Sequence, residues 1–223
     1  MTTKYFNSSL PVLICFLVLI NSNLFSQQSR LGIEVNKLSD YIASSHFAEL
    51  KYRMNDPSRT DSVFKEALKL TNGNYSEALF ALIFTVIPYN IVPIKIPLLP
   101  IIIKYPLESA KESVFKQKNR NLPKYLFFTS PKNNFGDKDK LAHFFGAAFL
   151  SYTGNIFDLS DLIGYFVEVF EQDFVVQSSI DPRDIHADTL GDIFGRLLKI
   201  NKEVLPSQVM LTKSLFYCGY SFP

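Results

Sequence analysis

Cysteine and histidine are scarce in this 223-residue chain, which has two of the first and three of the second. Cys15 falls inside an N-terminal apolar run and Cys218 almost at the end. One cysteine beyond that run excludes an intramolecular disulfide in a processed protein and any CxxC zinc or redox motif. Charge of one sign is also lacking. The formal balance is only +2 and no long Lys/Arg block occurs, so nothing argues for a nucleic-acid partner. Low-complexity tracts and internal repeats are absent, as are a Ser-His-Asp elbow, a P-loop, GxGxxG and HExxH, which removes the enzyme classes that depend on them. Hydrophobic residues make up 47% and charged ones 20%, a globular balance at a length that can bury a core.

The N-terminus has targeting architecture. Lys4 supplies the positive start, residues 10–20 (LPVLICFLVLI) form an apolar run, and residues 21–28 are a polar exit with Ser26 before a plausible cleavage point. Ile14 precedes Cys15 in mid-run, which argues against lipidation. The expectation is a signal peptide over 1–26 and a secreted or periplasmic protein; the alternative is an uncleaved anchor, for which the run is short.

Patterning predicts a mainly α-helical chain. Residues 30–51 read as a helix, with Leu31, Val35, Leu38 and Ile42 at helical spacing. Residues 55–58 read as a turn, after which Thr60 or Asp61 caps a helix to Leu70, and Asn72-Gly73-Asn74 breaks the chain again. Ser76 with Glu77 opens an apolar helix over 78–86. Residues 87–106 are apolar but punctuated by Pro88, Pro93, Pro97, Pro100 and Pro106, which argue against a continuous spanning helix because each removes a backbone donor and fixes φ. An extended segment wrapping the core is the favoured reading, a membrane-facing or re-entrant element the alternative. Residues 107–118 read as an amphipathic helix with a solvated basic end (Lys116, Lys118, Arg120), stopped at Leu122-Pro123. Domain boundaries follow: a helical N-terminal region over 27–136, a helical core over 137–204, and a tail over 205–223.

The richest stretch runs from 139 to 195. Three segments of helical pattern each carry a polar stripe: Asp139, His143 and Gly146; Gly164, Glu168 and Glu171; Asp184, Asp188, Gly191 and Gly195. With Asp184 at 0° and about 100° per residue, Asp188, Gly191 and Gly195 all lie within about 40° of it. The acids therefore sit on the rim of an apolar face, where a carboxylate is costly unless paired, liganded or protonated. The glycines allow a neighbouring helix or ligand to approach closely. Asp181 is the expected cap and Pro182 the first helical residue. His186 lies nearly opposite the acids and is left out of the site.

Three uses of such a set stand side by side. His143, Glu168, Glu171, Asp184 and Asp188 could hold a divalent cation, as carboxylate sites between helices do. Crowded acids could instead divide into a catalytic acid and base beside a histidine, with His143, Glu168 and Asp184 in those roles. Or the acids are structural, paired with His143, Lys140 or Arg183. Asp139, Lys140, Gly191 and Gly195 are supporting residues in each case.

At these residues the chain resembles the VanZ-like superfamily, in particular its periplasmic lipoprotein-type branch. The resemblance rests on Asp139-Lys140-Leu141-Ala142-His143, on Glu168 and Glu171, and on Asp184 and Asp188 followed by Gly191 and Gly195. It covers about a quarter of the chain. Relatives often have Asn at the position of Asp188 and Gln at that of Glu171, and many carry an Arg where this chain has Gln177-Ser178-Ser179; the lipoprotein cysteine is also missing. The resemblance implies a cell-envelope role with no settled reaction; the stripes predict three C-terminal helices packed around the acid/His cluster, and an envelope component or membrane surface is the candidate partner.

Overall fold

The computed structural model describes residues 29–95, 102–154 and 182–211. The chain is mainly α-helical, with helices α1 (Arg30–Ala43), α2 (Ser45–Glu49), α3 (Asp56–Leu70), α4 (Tyr75–Val86), α5 (Glu112–Asn121), α6 (Lys140–Thr153) and α7 (Pro182–Ile200). One two-stranded antiparallel sheet, β1 (Ile91–Lys95) with β2 (Ile102–Pro106), interrupts the series.

The first helix is shorter than its pattern. Val35, Leu38 and Ile42 do line its buried face, but Ser44 ends it. The Ser44 hydroxyl accepts the Phe47 N–H at 3.1 Å and caps α2 instead, a side-chain hydrogen bond that competes with helix continuation. Residues 55–58 correct the sequence reading more sharply. Asn55 is the cap, accepting from the Ser58 N–H at 2.9 Å, and α3 already begins at Asp56 with Pro57 in its first turn. Proline is tolerated there because that N–H has no intrahelical acceptor. Asp61, freed from capping α3, accepts the Ser207 N–H at 2.7 Å and its hydroxyl at 2.6 Å. It thus ties the helical residues 206–211 to α3. The Asp61 carboxyl is raised by burial, against which the Ser207 bonds and Lys65 act.

The turn at 72–74 forms as expected, with Asn72 and Gly73 in the left-handed region (φ 52° and 80°). Asn74 caps α4, accepting the Glu77 N–H at 3.3 Å, so the helix opens at Tyr75 rather than 78. α4 is the central helix: Ala78, Leu79, Ala81, Leu82 and Ile83 are fully buried.

Within the proline-punctuated segment, Ile91–Lys95 and Ile102–Pro106 are extended and pair with each other. Ile91 opposes Pro106 and Val92 opposes Tyr105. A two-stranded sheet consists of edges alone, and edges accommodate proline. The ladder continues one residue further, with Leu107 N–H on the Asn90 carbonyl at 3.0 Å. That bond holds the start of the expected 107–118 helix in extended geometry, and α5 begins only at Glu112. The basic end of α5 is not wholly solvated. Lys118 is buried and donates to the carbonyls of Thr85 at 2.7 Å and Ile87 at 2.8 Å, with its ammonium 4.4 Å from the Phe115 ring centre. It satisfies carbonyls at the end of α4 that have no partner within their own helix. Burial pulls the Lys118 ammonium down to about 7.

α6 packs most extensively on α7, and its other side on α4, which in turn meets α3. Phe194 of α7 stacks on Phe144 of α6 (ring centres 5.4 Å apart) and meets Phe64 of α3 edge-on at 5.2 Å. No helix of the described residues is long and apolar enough to cross a membrane.

Candidate functional site

The α6–α7 pair owes its closeness to two glycines. A Cβ on Gly191 would collide with the Phe144 carbonyl, and one on Gly195 with the Ala148 carbonyl. Backbone sits directly on backbone there, as the stripe of small residues on α7 predicts. Ser151 of α6 also donates to the Asp192 carbonyl at 3.0 Å. Gly146 is different: among the described residues, a Cβ there would meet nothing within 4 Å.

At their N-terminal ends the two helices share a chain of charges. Lys140 projects into it, buried, with its ammonium 2.7 Å from Asp139 Oδ2 and 2.5 Å from Asp184 Oδ1. His143 follows one turn later on α6. Its Nε2 lies 3.3 Å from Asp184 Oδ1 and its Nδ1 3.0 Å from Asp188 Oδ1. A neutral imidazole has one N–H and can donate to only one of these carboxylates, whereas a doubly protonated ring donates to both. Beside them Arg183 reaches Asp137 Oδ1 at 3.0 Å, and the Ser130 hydroxyl donates to Asp137 Oδ2.

Burial grades across the cluster. Asp137 is fully buried, Asp184 mostly so, and the Asp188 side chain is 49% exposed. Burial raises the Asp137 carboxyl, opposed by the Ser130 bond and the Arg183 charge. For Lys140 burial alone acts downward, but bonds to and charges on Asp139 and Asp184 outweigh it and hold the ammonium above the ordinary lysine value. The carboxylates thus favour a charged Lys140.

Of the residues singled out in the sequence, Asp139, Lys140, His143, Asp184 and Asp188 come together. Glu168 and Glu171, with Gly164 and Asp181, lie outside the described residues. The His186 ring packs edge-on to Phe127, with centres 4.9 Å apart. Asp137 and Ser130 were not anticipated. The alternation Asp137-Lys138-Asp139-Lys140 is a signal that could have pointed to the first; Ser130 has none.

Among the described residues, no group of three or more His, Cys, Asp or Glu side chains is placed to hold a metal ion. The Lys140 ammonium sits between Asp139 and Asp184 and so supplies a positive charge to both carboxylates. Compared with protein-family models, curated proteins and solved structures, the chain gives no match.

Proposed function

We propose that this chain is a cell-envelope protein of VanZ-like type with a non-enzymatic, accessory or structural role. In this reading the Asp139–Lys140–His143–Asp184–Asp188 cluster is an internally compensated clamp between α6 and α7. One observation carries it: the buried Lys140 ammonium bridges Asp139 and Asp184. Asp184, at 16% exposure, and the partly exposed Asp139 gain from a compensating charge, and here the chain supplies one covalently. The envelope assignment rests on Lys4 and the apolar run over 10–20, and on the motif resemblance.

A second reading keeps the cluster as a divalent-cation or acid/base site acting on an envelope component, with Glu168 and Glu171 joining His143, Asp184 and Asp188. The open side at Asp188, beside His143, favours it. Thermal melts with chelator, and with added Mg²⁺, Ca²⁺ or Zn²⁺, separate the two. A ligand that binds only the folded state raises the melting temperature by mass action. The clamp predicts a shift of less than about 1 °C for each cation. A rise of several degrees that Asp188→Asn and Glu168→Gln each abolish would move the cluster to the second reading.

A further inference from the structure

The loop between α5 and α6 presents apolar rings where solvent favours polar groups. Phe128 is 89% exposed, Phe135 49% and Tyr125 43%. The loop is nonetheless tied down along its length. Leu126 and Phe127 are buried, so the exposed rings project from an anchored base. Asp56 Oδ2 accepts the N–H groups of Lys124 and Tyr125, each at 2.9 Å. The Ser130 hydroxyl accepts the Phe127 N–H at 2.9 Å while bonding the buried Asp137. Asn133 Oδ1 accepts from Phe135 and Gly136 at 3.0 and 2.7 Å. Gly136, at φ 64°, lies against the Lys124 carbonyl with no room for a side chain.

The same stretch of chain is rich in basic residues. Residues 113–138 hold Lys116, Lys118, Arg120, Lys124, Lys132 and Lys138 against one acid, Asp137, and that acid is buried against Ser130 and Arg183. Lys116 is paired with Glu112 at 2.9 Å and Lys118 is buried. Arg120, Lys124, Lys132 and Lys138 have no ion-pair partner among the described residues. Lys124 and Lys138 are near enough for the Lys124 charge to add to burial in lowering Lys138. Lys124 and Lys138, close enough to feel each other's charge, together with Lys132 and the exposed rings of the same loop, match the chemistry of an anionic bilayer surface: rings suit the headgroup–acyl boundary and lysines the lipid phosphates. Nucleic acid fits less well, because the whole chain carries only +2.

We infer that the 124–138 loop docks on an anionic lipid surface, with Phe128, Phe135 and Tyr125 entering the interface and Lys124, Lys132 and Lys138 meeting phosphates. This surface goes beyond the clamp and does not depend on it. Because the apolar run over 10–20 is a separate route to a bilayer, the test compares loop variants within the full chain.

The chain has no tryptophan, so Phe128→Trp provides a single reporter. Its emission is expected to shift to the blue on vesicles of phosphatidylcholine with phosphatidylglycerol, and to stay put on phosphatidylcholine alone. In co-sedimentation with the mixed vesicles, Phe128→Ser combined with Phe135→Ser should weaken binding about tenfold or more. Lys124→Gln, Lys132→Gln and Lys138→Gln together should do the same and remove most of the salt dependence. An unchanged melting temperature shows that the variants fold. An unmoved indole emission in the Phe128→Trp variant, or full vesicle binding by both sets of variants, overturns the proposal. So does loop-dependent binding that appears only toward a single-stranded oligonucleotide or a second copy of the chain.

Discussion

The Lys140 ammonium lies 2.5 Å from Asp184 Oδ1, joining the first turn of α6 to the first turn of α7. Both side chains are largely out of solvent, at 4% and 16% exposure. Each charge therefore depends on the other for what water no longer supplies, and removing one leaves its partner desolvated. Two turns further along α7, Gly191 brings the two backbones into contact. The helix pair is thus fixed by an ionic contact at one end and close steric packing beyond it.

The glycines of this pair should respond in opposite directions to the same substitution. Alanine is the better helix former by about 1 kcal/mol. Gly191→Ala must force the Phe144 carbonyl away, so it should cost about 1–3 kcal/mol net. Gly146→Ala meets nothing among the described residues within 4 Å and should stabilise by up to about 1 kcal/mol. Urea unfolding of the two variants beside the parent checks both signs.

Lys118 should make stability rise with pH across neutrality. Its folded pKa, about 7, lies below the ordinary 10.5. Between those values the unfolded chain binds more protons than the folded one, and stability increases as pH rises through the window. Below about pH 7 the buried ammonium is charged in both states and the gain is absent. Unfolding free energies at pH 6 and pH 9 should differ in that direction, and Lys118→Met should flatten the difference.

Asp61→Ala should loosen the C-terminal helical segment. It removes the acceptor for both the Ser207 N–H and its hydroxyl. An unsatisfied buried donor costs about 1–3 kcal/mol. Amide exchange should accelerate first at residues 207–211, ahead of α4. Uniform acceleration throughout would show that the contact is not local.

How much of this was legible in the sequence depends on the kind of interaction. The α6 and α7 stripes were readable because helical period places Asp184, Asp188, Gly191 and Gly195 on one side whatever they pack against. The cluster members Asp139 and His143 followed from the same rule, whereas Lys140, one residue off that stripe, entered as a supporting residue and possible ion partner. Capping was misread at Asn55 and Asp61 because several Asn, Asp, Ser and Thr residues competed within a few positions, and only the fold shows that Asp61 serves Ser207. The β1–β2 pairing was hidden by prolines that argue against a central strand but are harmless in a sheet with only edges. Lys118 looked like a solvated helix end because nothing local reveals that the end of α4, over 30 residues away, needs donors.

The central claim is that Lys140 is the cation of the cluster, and a double-mutant cycle on Lys140→Met and Asp184→Asn tests it most directly. Each variant and the pair would be unfolded in urea. Lys140→Met alone should cost about 3–5 kcal/mol, and the double variant should cost at least about 2 kcal/mol less than the two single costs combined. Single costs that add to within about 0.5 kcal/mol would mean the two groups do not compensate each other, and the clamp would be contradicted.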